Sequence, residues 1–300
     1  MKTTLILVLF YFICTISFAQ DEVKLSLEMD SKILGKNIKY SVYLPAEYEN
    51  SNNEFPILYL LNGFTGDETD WNMDGLLSDI VNQLTRAEKI DPMVIVMPDG
   101  DDRLYMNRDD GTYPYEDMLV KEFIPFVESK YKVIKDRRFR AISGLSMGGA
   151  GSLRLAFKYY ELFGACAAYS ASIRTYDEII NDNPSHFDSY FGRISPSVIG
   201  KKGEVRYTDA IKEFDLLNFV DTQDVESLKS VNIYFDCGDD DFLTLGNTNL
   251  HIKLKKKGIP HEFRVRDGKH TWNFWIDSLP IGLVFISNSM RKSDTRTIQN

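Results

Sequence analysis

A chain of 300 residues with 43% hydrophobic and 26% charged side chains can bury a sizeable core, and its length suits one large α/β domain with insertions. Its net charge of −9 argues against a nucleic-acid partner and disfavours a polyanionic substrate, because phosphates or carboxylates would be repelled unless a local basic patch intervened. With only three cysteines it is not a disulfide-scaffold protein.

The first nineteen residues read as a signal peptide. Met1-Lys2 is a short positive start, residues 5–13 are apolar, and Ser17-Phe18-Ala19 is a small-x-small cleavage site. That apolar stretch is too short for a stop-transfer helix, and no second long apolar run follows, so no membrane partner is expected. Cys14 follows Ile13, which is not the small residue that lipidation at such a site requires. The expected product is an exported domain, residues 20–300, that is periplasmic or secreted.

Residues 23–27 and 38–44 alternate apolar and polar side chains, predicting an antiparallel strand pair. Continuous apolar runs at 57–61 and 93–97 predict strands buried on both faces, with a helix between them at 76–87. A second helix is expected over 116–131, with Met118, Phe123, Ile124 and Val127 on one side. Residues 139–142 read as a strand and 149–159 as a helix. Further strands are expected at 165–169, 231–235 and 262–266. This recurrence of strand and helix predicts a mostly parallel sheet with helices on both faces. Residues 173–229 break the rhythm. They are polar, hold Tyr176, Tyr190, Phe191 and Tyr207, and are expected to form a cap inserted over the active site. The tail at 287–300 is polar and is expected to be frayed. Cys166 and Cys237 lie inside apolar runs and are expected as buried thiols.

The chemistry is carried by Gly144-Leu145-Ser146-Met147-Gly148, a G-x-S-x-G between a predicted strand and a predicted helix. On such a turn the serine hydroxyl stands above the sheet edge, the glycines tolerate the tight backbone, and the helix points its free amides at an incipient oxyanion. A nucleophilic serine needs a histidine base and a carboxylate that fixes the histidine tautomer. His270 follows a predicted strand directly and is the candidate base. His186 lies in a polar stretch, His251 in a helical pattern and His261 at a strand start. The acid belongs to Asp236-Cys237-Gly238-Asp239-Asp240-Asp241-Phe242-Leu243. Asp241 lies farthest around this loop, with Phe242-Leu243 available to bury it, but spacing alone leaves Asp240 open. Three adjacent aspartates suit a calcium loop poorly, since calcium ligands normally alternate with other residues.

Together with Tyr59-Leu60-Leu61-Asn62-Gly63-Phe64, Met97-Pro98-Asp99-Gly100 and Gly268-Lys269-His270-Thr271-Trp272, these segments resemble the esterase D-like family of α/β-hydrolases. That family includes the feruloyl and acetylxylan esterases of carbohydrate esterase family 1, S-formylglutathione hydrolases, siderophore esterases and mycolyltransferases. The resemblance spans residues 39–280 and implies an α/β-hydrolase fold. It implies Asp241 as the acid, three residues after Gly238, and the backbone amides of Phe64 and Met147 as the oxyanion hole. Many relatives carry histidine where this chain has Asn62, which bears on the rigidity of that loop. No cofactor or metal is implied. The expected reaction is hydrolysis of an ester met outside the cytoplasm. Acetyl or feruloyl groups on plant polysaccharide come first as substrate, siderophore hydrolysis or acyl transfer second. A non-catalytic carbohydrate-binding module or a serine peptidase is the more distant alternative. Trp71 and Trp272 lie near predicted catalytic groups in sequence and are candidate substrate-binding aromatics; Trp275, three residues after Trp272, reads as a core anchor.

Overall fold

The computed structural model describes residues 21–297, with side chains described as far as Arg291. The expected signal peptide at 1–19 lies outside the described residues. Eight strands form one sheet: β1 (Glu22–Ser31), β2 (Lys36–Leu44), β3 (Ile57–Leu61), β4 (Val94–Pro98), β5 (Arg140–Leu145), β6 (Ala165–Tyr169), β7 (Asn232–Gly238) and β8 (Glu262–Arg266). Their order is β1-β2-β4-β3-β5-β6-β7-β8. The pairs β1–β2 and β2–β4 are antiparallel and all later pairs parallel.

The helices are α1 (Asp70–Met73), α2 (Leu77–Arg86), α3 (Tyr115–Met118), α4 (Ile124–Lys130), α5 (Met147–Lys158), α6 (Tyr176–Asn181), α7 (Pro184–Phe191), α8 (Asp209–Phe214), α9 (Leu216–Thr222), α10 (Val225–Lys229), α11 (Thr244–Lys256) and α12 (Trp272–Thr297). A wide π turn at Leu119–Phe123 joins α3 to α4, so the single helix expected there is one continuous but uneven rod. The inner strands are buried on both faces and send alternate residues to two cores. Ile57, Tyr59 and Leu61 of β3 meet α3, α4 and α5, through side chains such as Phe123, Val127, Leu153 and Phe157. Leu58 and Leu60 meet α1, α2 and α12. This is the α/β-hydrolase arrangement, and it explains why those strands read as unbroken apolar runs.

One expectation fails. The chain does not fray at 287. Helix α12 continues to Thr297, burying Ser287 and Met290, and Arg291 makes a bidentate ion pair with Asp91. Polar composition misled there because the helix keeps an apolar stripe with Leu283, Ile286 and Met290. The 173–229 segment holds five short helices, α6 to α10, and His186 sits within α7.

Candidate active site

All the chemically interesting loops leave the carboxyl ends of the parallel strands, where an open α/β sheet places its ligands. The turn after β5 is the tightest of them. Ser146 has φ +53° and ψ −114°, a conformation that costs a non-glycine residue on the order of 1–3 kcal/mol and persists only where its surroundings impose it. They do: the Ser146 amide donates to Tyr169 O at 2.9 Å, and its carbonyl accepts from Ala150 at 3.0 Å and Ser172 at 2.9 Å. Glycine is required on either side by close approach. A Cβ on Gly144 would lie 2.6 Å from the Gly148 backbone, and one on Gly148 would lie 2.5 Å from Leu61 O.

The structure brings Ser146, His270 and Asp241 together. His270 Nε2 lies 3.0 Å from Ser146 Oγ, and Nδ1 lies 2.8 Å from Asp241 Oδ2. The carboxylate only accepts, so Nδ1 carries the proton and Nε2 is free to accept from the serine hydroxyl. The Asp241 side chain is fully buried, while His270 stays partly exposed. Burial by itself would raise the Asp241 carboxyl. Hydrogen bonds from His270, the Leu243 amide and Ser170 outweigh it and hold the group below the usual carboxylate range.

The neighbouring aspartates have other duties. Asp236 is buried against Arg266 at 2.8 Å and the Tyr234 hydroxyl at 2.9 Å. Asp239 accepts from the Gly268 amide at 3.0 Å and so ties the acid loop to the histidine loop. Asp240 is exposed, its amide bonded to Gly268 O. Phe242 does not cover the acid as expected. Leu243 is buried at 2% exposure, whereas Phe242 is 64% exposed with its ring 4.7 Å from the His270 ring.

Phe64 and Met147 flank the serine. Met147 opens α5, so its amide has no helical partner, and among the described residues neither amide donates to another protein group. The Phe64 loop is anchored through Asn62, which is 1% exposed. Its Oδ1 accepts from the Gly100 amide at 3.0 Å and the Tyr105 hydroxyl at 2.7 Å, and its Nδ2 donates to Gly63 O at 3.0 Å. Thr65 adds a bond to Asp102 at 2.6 Å.

Of the two candidate substrate-binding tryptophans, Trp71 is corrected. It has no exposed surface, donates from Nε1 to Leu61 O at 3.0 Å and packs edge-on to Trp272. Helix α1 turns it inward to the core. Trp272 is half-buried between Trp71 and Trp275. Trp275 is a core residue whose Nε1 donates to Ser170 Oγ at 3.1 Å. Ser170, held at φ +44°, is thus a support for Asp241 that sequence reading missed. Cys166 and Cys237 are buried free thiols. Among the described residues no acidic, histidine or cysteine cluster is arranged to hold a metal, and no helix is long and apolar enough to cross a membrane. A cavity of about 550 Å³ lined by Tyr234, Ile281 and Phe285 lies at the opposite, amino-terminal ends of β7 and β8, away from the serine.

Comparison with known proteins identifies the family. Residues 31–286 match the family model described as "Putative esterase". An acetyl esterase of Caldicellulosiruptor saccharolyticus is 27% identical over 261 residues, which is 82% of this chain and 91% of that protein. An endo-1,4-beta-xylanase/feruloyl esterase of Xylanibacter ruminicola is 30% identical over 156 residues, 50% of this chain and 22% of that larger protein. A solved ferulic acid esterase is 31% identical and superposes with a TM-score of 0.76, covering 90% of this chain and 99% of its own. The chain therefore belongs to the esterase family within the α/β-hydrolases, and it is a serine hydrolase acting on ester substrates.

Proposed function

We propose that Ser146, His270 and Asp241 are the catalytic triad of an exported esterase that removes acetyl or feruloyl groups from plant polysaccharide. The observation that carries the triad is the hydrogen-bonded chain from Asp241 through His270 to a serine held in a strained turn. Ser146 Oγ attacks the ester carbonyl carbon as its proton passes to His270 Nε2. The carbonyl π electrons move onto oxygen, and the resulting oxyanion accepts hydrogen bonds from the Phe64 and Met147 amides. Each such donor is worth roughly 3 kcal/mol to the transition state. Asp241 stabilises the imidazolium. Collapse of the intermediate breaks the carbon–alkoxide bond, and His270 returns the proton to the departing alcohol. Water, deprotonated by the same imidazole, then releases the acid and restores Ser146.

The polysaccharide reading draws on the similarity to the acetyl esterase and the two feruloyl esterases and on the N-terminal sequence, which suits export. In this reading residues 173–229 act as the cap, since Tyr190 of α7 packs 5.0 Å from the Phe64 ring and the Arg193 guanidinium stands over the same ring at 6.0 Å. The test is acid release from p-nitrophenyl acetate, acetylated xylan and methyl ferulate by wild type and Ser146→Ala. Serine-dependent turnover of one polymer-type ester supports the whole reading. Turnover of the phenyl ester alone keeps the triad and moves the substrate to siderophore esters or an acceptor-dependent transfer. No serine-dependent turnover removes the esterase reading.

A further inference from the structure

Phe242 is a large, exposed side chain beside the triad that the proposed reaction does not use. Its neighbours in sequence are buried, at 4% for Asp241 and 2% for Leu243, yet its own ring is 64% exposed. That ring lies 4.7 Å from the imidazole of His270 at an interplanar angle of 49°. An aromatic ring left in water contributes little to the core, and one this close to the imidazole is placed to touch what His270 acts on.

The direction of proton transfer says which part of the substrate that partner is. His270 Nε2 must hand a proton to the leaving alkoxide, so the alcohol half of the ester stands on the imidazole side of the carbonyl. The acyl oxygen points the other way, toward Phe64 and Met147. Phe242 lies on the imidazole side. Phe242 follows exposed Asp240 in the chain, and exposed Lys269 and Thr271 flank His270. An alkyl chain calls for an enclosed apolar slot. A flat ring exposed beside the imidazole fits a rigid ring with an apolar C–H face, which can stack on it without being enclosed.

We infer that Phe242 is a specificity-determining residue, the platform on which a pyranose ring of the ester's alcohol moiety stacks while His270 protonates its oxygen. This rests on the proposed function above and deepens it by naming the residue that holds the sugar half of the ester.

The experiment compares two substrates with one acyl group, the acylated methyl xyloside and the corresponding ethyl ester, in wild type, Phe242→Ala and Phe242→Trp. Loss of stacking is expected to lower kcat/KM for the sugar ester roughly ten-fold, mainly through KM, as loss of one apolar contact of this size does. The ethyl ester is expected to change by less than about two-fold, and Trp to restore the sugar ester. An equal fall for both esters, or a fall confined to kcat, would show that Phe242 only packs His270 and would overturn the inference; so would no change on either. Ser146→Ala on p-nitrophenyl acetate is run beside it. If wild type shows no serine-dependent turnover there, the triad reading has failed; if it does and the two esters respond alike, only the stacking inference has failed.

Discussion

Helix α5 joins two buried carboxylates that are built in opposite ways. Toward its carboxyl end, Glu116 is surrounded by charge: Arg154 at 2.6 Å, Lys158 at 2.9 Å and the Tyr159 hydroxyl at 2.7 Å occupy both oxygens. Burial opposes its ionisation, but the two cations prevail and draw the carboxyl down to about 2. At the amino end, Asp241 faces an imidazole, one backbone amide and a serine hydroxyl. The first carboxylate is already neutralised and can only hold structure. Among the described residues no fixed cation pairs with the second, so its charge remains available to the imidazolium that forms when His270 takes a proton. Stability and catalysis use the same residue type, and the permanent charge opposite it decides which.

That contrast can be broken from either side. The largest effect is expected from Ser146→Ala, with kcat on p-nitrophenyl acetate falling by roughly 10⁵-fold or more while the urea unfolding midpoint stays near wild type. Asp241→Asn keeps the shape but offers His270 the wrong tautomer. Its kcat is expected to fall about 10⁴-fold, against less than about three-fold for exposed Asp240→Asn; equal losses in steady-state assays would refute the division of labour in this loop.

Glu116→Gln should do the reverse, costing about 3 kcal/mol in urea unfolding at pH 7 while leaving kcat/KM within a few-fold. The pH dependence has a definite sign. The folded-state carboxyl is depressed from 4.5 to about 2, so its contribution is fully present above about pH 4.5 and is lost as the pH falls toward 2. Unfolding curves from pH 6 to 2 should show a shallower acid limb in the variant. The smallest effect sharpens the comparison at the oxyanion loop. Asn62→Ala removes the anchor to Gly100 and Tyr105, and it should lower kcat about ten-fold with KM little changed, as a loosened oxyanion donor would. An unchanged kcat would mean that the Thr65–Asp102 bond holds the loop alone.

Much of the molecule was readable before folding was considered. Residues 57–61 and 165–169 announced inner strands because both faces of such strands are apolar, and the serine turn declared itself because its glycines answer to backbone approach distances under 3 Å. Local pattern reached less far into the loops. Trp71 looked like a substrate contact because it lies near Phe64 in sequence, yet α1 rotates it into the core. Phe242 looked like a cover for Asp241 because it is apolar, yet the turn sends it outward and Leu243 inward. Residues 287–291 looked polar enough to fray, yet every third or fourth side chain still meets the sheet.

The sequence by itself determined the eight strands, three of the helices between them, the nucleophile turn and the histidine that follows the last strand, because periodicity and glycine placement are local consequences of backbone geometry. Only the tertiary structure decided how the four aspartates after β7 divide their work. It alone showed that Ser170 and Asn62 brace the site, and that one phenylalanine faces water beside His270. Those are matters of side-chain direction and of partners 29 to 124 residues apart in the chain, which no local pattern encodes.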